Sequence, residues 1–239
     1  MTLSPHVYHL AEAANWPSIR ARGLLPASVL FDLAGLVGAA RDRVERAQRA
    51  DHTELPNGLF VRDQKPMPPA ALAGCLVGLT AADWYALVNA RVFFWLDPDR
   101  LNRQRAACGP RPQVVLTLDT AALVDAYLDV TAVTPINTGN ARRKPALRGA
   151  ATFVPYPTWL DSGWATEAVA LGTRERKRTH PPAELTIAAV ALGTRERKRT
   201  HPPAELTIAA AVPDALRFVA AVTELPPGEA FTPGRDPVS

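Results

Sequence analysis

Three kinds of side chain stand where this sequence could do chemistry. His9 closes the apolar stretch Val7–Leu10 just ahead of a turn, where an imidazole can hydrogen-bond a sugar hydroxyl or a ligand carbonyl. Phe93, Phe94 and Trp95 form an aromatic run; on a strand Phe93 and Trp95 share one side and Phe94 takes the other. Such a run fills a core as readily as it stacks on a heterocycle. Finally, the segment Pro-Ala-Glu-Leu-Thr-Ile, at 182–187 and again at 203–208, sets Glu184 and Glu205 each inside an apolar strand. A desolvated carboxylate needs a partner or a use, whereas one at a solvent edge needs neither.

Other chemistries find little support. The chain has no phosphate loop, dinucleotide-binding glycine fingerprint, zinc-protease helix motif or nucleophile elbow. Two cysteines and five scattered histidines give neither a disulfide scaffold nor the paired spacing of a metal site, so no metal is expected. Lys and Arg outnumber Asp and Glu by 27 to 23, a net charge of +4, which permits a polyanionic partner without requiring one. No signal sequence and no long apolar span occurs in the first residues or elsewhere, so a cytoplasmic protein without membrane contact is expected.

The elements that must hold these residues are legible in outline. After the His9 strand, Asn15-Trp16-Pro17 opens a helix with Asn15 as its cap, and Gly23 supplies a left-handed stop. One helix is expected from about Ala27 to Arg49 and another from Thr80, with Asp83 completing a capping box. Strands are expected at 58–62, 91–96, 114–118, 130–133 and 218–222, and long loops from Pro135 to Trp164. The boundaries give a single domain over 1–225 with a loose tail at 226–239. Within it, Val169–Ala189 recurs letter for letter as Val190–Ala210, too exact and too short for a solenoid.

Taken in order, these residues resemble the DarT-type DNA ADP-ribosyltransferases. His9 followed by Asn15-Trp16-Pro17-Ser18-Ile19 and Gly23-Leu24 is similar to their opening strand and helix. Val92–Trp95 with Pro98-Asp99-Arg100 resembles their aromatic strand, and Val114–Leu118 the strand after it. Asn137–Ala141 with Thr152-Phe153 resembles their glycine–asparagine loop, and Ala-Glu-Leu-Thr-Ile the strand that bears their catalytic glutamate. The details lie closer to a DarT-like sister group than to DarT itself, and the similarity runs from residue 7 to about 222.

The resemblance implies an α+β fold: a split, mixed β-sheet of about six strands with surrounding helices and a central NAD cleft. It implies NAD as co-substrate and an acceptor that is a nucleic-acid base, DNA or RNA, with an antidote protein as a further partner. Glu205 or Glu184 would be catalytic, Glu205 being preferred because its strand runs straight into Val212-Pro213. His9 would anchor a ribose, Phe94 or Trp95 would stack on nicotinamide, and Asn140 would line the cofactor site. Arg62 and Arg41 are alternatives for the assisting arginine. The basic runs Arg174–Arg178 and Arg195–Arg199, just upstream of each glutamate, would face the acceptor. A catalytically silent binding module on the same fold, and an RNA 2′-phosphotransferase-like enzyme, are the competing expectations.

Overall fold

The computed structural model describes residues 3–142, 145–162, 184–188 and 212–234. The His9 segment forms β1 (His6–Glu12), longer than its apolar stretch because each of its residues pairs with β5 (Gln113–Asp119). The aromatic run is β4 (Arg91–Trp95), and the glutamate strand is β8 (Glu184–Ala188). With β6 (Thr131–Thr134), β7 (Val154–Pro155) and β9 (Val219–Leu225) they make one seven-stranded sheet ordered β7-β6-β8-β4-β1-β5-β9. A separate ribbon pairs β2 (Thr53–Glu54) with β3 (Phe60–Val61).

Every ladder in the main sheet is antiparallel, which corrects the expectation of a mixed sheet. The coarser α+β class stands. The sheet is also divided: β1 meets β4 through the single pair Tyr8 and Trp95, while β4–β8 and β1–β5 are paired along their lengths. Across that thin seam His9 Nδ1 lies 2.9 Å from the Phe93 carbonyl.

Side-chain alternation sorts the sheet into two faces. Val7, Ala11, Phe94, Val114, Leu116, Leu185 and Ile187 form the main core with α1 (Trp16–Arg22), α7 (Thr120–Ala126) and α8 (Tyr156–Ser162). The opposite face splits into two clusters. One packs Tyr8, Leu10 and Trp95 beneath α6 (Pro98–Ala107), and the other joins Phe153 and Ala132 to α4 (Pro69–Ala73) and α5 (Ala81–Asn89). Burying both faces is what lets β4 and β5 read as nearly continuous apolar runs.

Local signals explain several elements and correct others. Thr80 and Asp83 do form the reciprocal capping box of α5. The single helix expected at 27–49 is instead α2 (Ala27–Leu33) and α3 (Gly38–Glu45), because Gly35 and Gly38 take positive φ and break the chain between them. Asn15 does not cap α1. Its amide pairs with the Phe60 backbone, donating to the carbonyl at 2.8 Å and accepting from the N–H at 2.9 Å, so it ties the ribbon to the first helix. The expected 135–164 loops contain β7 and α8, and the segment expected as a loose tail is anchored at Phe231. There Phe231 is buried against Tyr8, and Asn102 on α6 pairs with its backbone from both sides at 2.8 Å. Among the described residues no helix is long and apolar enough to cross a membrane.

Candidate functional site

A cavity of about 560 Å³ opens where the two halves of the sheet part, within the usual size of a small-molecule site. His9, Arg62, Asn140 and Glu184, from four different segments, all line it. Glu184 and Tyr8 are both register partners of Trp95, so Glu184 and β1 stand two strand spacings apart, roughly 10 Å.

Of the two candidate glutamates, Glu184 holds the sheet slot between β6 and β4, facing Thr134 on one side and Trp95 on the other. The preferred Glu205 lies outside the described residues, as do Arg174–Arg178 and Arg195–Arg199. The two copies are identical in sequence, so side-chain packing cannot choose between them and only the connection does.

Glu184 is 4% exposed. Thr138 donates from its hydroxyl to Oε2 at 2.9 Å and from its backbone N–H toward both carboxylate oxygens at 3.3 Å; Thr134 Oγ1 lies 3.0 Å from Oε2. Burial raises its pKa to about 7, and these donors, with Arg100, only partly offset that. Near neutral pH the group exchanges a proton within reach of the cavity.

His9 is held in one tautomer. A carbonyl accepts at Nδ1, so Nδ1 carries the hydrogen and Nε2 is an acceptor with no hydrogen-bond partner among the described residues. Burial is the main force lowering its pKa, to about 4, and Arg62 adds to it. The ring is neutral at physiological pH and can accept from a ligand hydroxyl.

Arg62 is not a free cation. It ion-pairs with buried Glu12 (Nε to Oε1 3.3 Å) and donates to the Leu10 carbonyl at 2.9 Å. Glu12 also receives Arg111 at 3.2 Å and Gln113 at 3.1 Å. Burial works against ionisation of Glu12, yet Arg62, Arg111 and Gln113 together hold its pKa below the ordinary value. Arg41 is absent from the cavity wall. It binds Asp32 and Glu45, the latter at 2.5 Å, and so stitches α2 to α3.

Phe94 and Trp95 both border the cavity, yet neither ring is exposed in it. Phe94 is fully buried in the main core, its ring tilted against His9, and Trp95 is largely buried and donates to Gln104 at 2.5 Å. All three aromatic residues border the cavity, and Phe93 is the part-exposed one. Phe60, stacked on His52 at a 5.0 Å centroid distance, is a second cavity-lining aromatic.

Two wall residues escaped the sequence reading. Arg91 lies over the Phe153 ring at 4.1 Å, and its Nε is buried without a partner; no carboxylate pairs with it among the described residues. Desolvation lowers its pKa to about 10. The period of two along β4 would have put it beside Phe93. Glu12 is the other, and its value depends on Arg111 and Gln113, far away in sequence.

Comparison with curated proteins and with solved structures gave no match. A family model, the family of unknown function DUF7002, matches residues 5–194. That stretch spans β1 through β8 and thus every wall of the cavity named above, so the chain belongs to the DUF7002 family.

Proposed function

We propose that this protein is a NAD-consuming ADP-ribosyltransferase whose acceptor is a nucleic-acid base. The reading is carried by one observation: a single cavity at the parting of the sheet is lined by both a neutral imidazole and a desolvated carboxylate from distant segments. The two groups suit the two ends of the task. His9 Nε2 accepts from a ribose hydroxyl. Glu184, when ionised, accepts from the 2′-hydroxyl of the ribose next to nicotinamide and opposes the positive charge that grows at C1 as the bond to nicotinamide breaks. The bonding electrons depart with nicotinamide, and the acceptor forms the new bond at C1 and releases a proton. Because that charge exists mainly in the transition state, the carboxylate accelerates the reaction more than it tightens binding.

Charge supports an anionic substrate. Arg91 has no acid partner among the described residues, and Arg100 and Arg103 also line the cavity. A pyrophosphate is well matched to such cations. Phe93 and Phe60 offer the apolar faces a nicotinamide or adenine ring would use. A nucleic-acid acceptor is consistent with the basic balance of the chain. A cytoplasmic setting and an antidote protein belong to the same proposal.

The test is nicotinamide release from NAD, with mass spectrometry for ADP-ribose added to DNA, RNA or protein. The wild type should release nicotinamide, and Glu184→Gln combined with Glu205→Gln should lower kcat by at least about 100-fold, the scale of losing one transition-state electrostatic contact. The paired change is needed because the duplicated segment carries the same glutamate twice. Salt-sensitive nucleic-acid binding with no NAD turnover would replace the enzyme by a binding module.

A further inference from the structure

The turn after β6 is tied to Glu184 more closely than any ligand-facing purpose of its own requires. Thr138 spends both its backbone N–H and its hydroxyl on that carboxylate, and the hydroxyl has no other acceptor among the described residues. Thr134 is different. Its hydroxyl lies 2.9 Å from the Ile136 carbonyl as well as 3.0 Å from Glu184 Oε2, and one proton cannot serve both. Thr134 can therefore donate to Ile136 and accept from a protonated Glu184, whereas Thr138 as donor favours the ionised form.

Behind Thr138 sits Arg148, 1% exposed, and it donates to the Thr138 carbonyl at 3.2 Å and to the Ala146 carbonyl at 3.2 Å. Its guanidinium lies over the Trp84 ring at 5.7 Å. The Arg148 backbone bridges to Cys75 and Val77, each at 2.8 Å, which fixes this arginine to the segment after α4. A buried arginine that grips a loop carbonyl in place of a carboxylate is a costly arrangement unless the loop position matters.

We infer that Thr138, braced by Arg148, is the positioning residue for Glu184: its hydroxyl holds Oε2, while Oε1 keeps only the longer shared contact to the Thr138 N–H and is the oxygen with capacity left for a ligand. The inference rests on the transferase reading for the purpose of that oxygen, while the positioning itself is a matter of geometry. It has an electrostatic consequence. The charged groups that reach Glu184 are Arg100 from α6 and Arg148 from this loop. Neither forms a hydrogen bond to it, so the Thr138 contacts are the main local force favouring its ionisation.

A pH titration by carbon NMR of protein labelled at the glutamate carboxyls tests this directly. One resonance should titrate near pH 7 and vanish in the Glu184→Gln, Glu205→Gln protein. In Thr138→Val its midpoint should rise by about 0.5 to 1 in pH, the scale of one lost hydrogen bond to a buried carboxylate. Thr138→Ser should restore it, and Thr134→Val should move it less. Thr138→Ala repeats the deletion should the valine variant fail to fold. The acid limb of nicotinamide release should move upward with the same midpoint, with KM little changed. An unmoved midpoint in both hydroxyl-deleting variants, or a serine variant that behaves like the valine one, overturns the inference. Shifted midpoints in a protein that never turns over NAD would leave the positioning intact and remove the transferase reading.

Discussion

At the residue scale, His9 and Glu184 make opposed demands on pH. An unfolded histidine takes up a proton near 6.5, but buried His9 does not until about 4, so His9 costs stability as pH falls through that window. An unfolded glutamate ionises near 4.5, but Glu184 not until about 7, so Glu184 costs stability as pH rises through nearly the same window. Each contribution is up to about 3 kcal/mol, less for His9 to the extent that cavity water reaches its ring. The two slopes largely cancel in the wild type. Relative to it, His9→Asn should lose stability from pH 5 to 7.5, and the Glu184→Gln, Glu205→Gln protein should gain. Urea unfolding at several pH values would show this, and parallel profiles for all three proteins would refute it. His9 as a site residue was legible as an imidazole set in an apolar strand, although β1 runs on past it to Glu12. The neutrality of the imidazole was not, since that comes from the wall that closes around it and from Arg62, acting against the Phe93 carbonyl, which by itself favours the charged ring.

At the element scale, the meeting of α1 with the chain entering β9 turns on Gly23. Its φ is +74°, and a Cβ there would lie 2.1 Å from the Val212 carbonyl oxygen, inside contact distance of backbone that is bridged to Leu24. Gly23→Ala should therefore cost about 3 kcal/mol or more, through strain and displacement of the Leu24–Val212 bridge. Thermal unfolding would measure it, and an unchanged Tm would contradict the packing. The sequence signalled the left-handed stop, but the close approach involves a partner nearly two hundred residues away. The same contrast holds for Asn15, whose type and place fit a helix cap and which the fold uses to hold the β2–β3 ribbon. Local chemistry lists what a side chain can bond; the tertiary neighbour decides which bond is made.

At the scale of the whole molecule, residues 226–234 complete the cluster of Tyr8, Trp95 and Leu101, to which Phe231 belongs. Arg105, buried in α6, reaches the carbonyls of Pro226 and Glu229 and bonds Gln113 at 3.0 Å, and Gln113 in turn bonds Glu12. The docked segment and the Glu12–Arg62 wall of the cavity thus share one polar network. Phe231→Ala should destabilise the fold by about 3 kcal/mol, as for other buried phenylalanines, and ending the chain at Leu225 should cost at least as much. A truncated protein with wild-type Tm would show that the segment is dispensable. By itself the sequence determined the strands β1, β4, β5, β6, β8 and β9, the α5 cap and the identity of His9 and Glu184 as residues worth watching, because hydrophobic period and capping are local. Only the tertiary structure decided the antiparallel order, the thin seam between β1 and β4, the pairing of Arg62 with Glu12, the burial of Phe94 in the core, the hold of Thr138 on the carboxylate and that of Arg148 on Thr138. Each of these joins segments far apart in the chain, where no local preference acts and only packing and the satisfaction of buried polar groups select the partner.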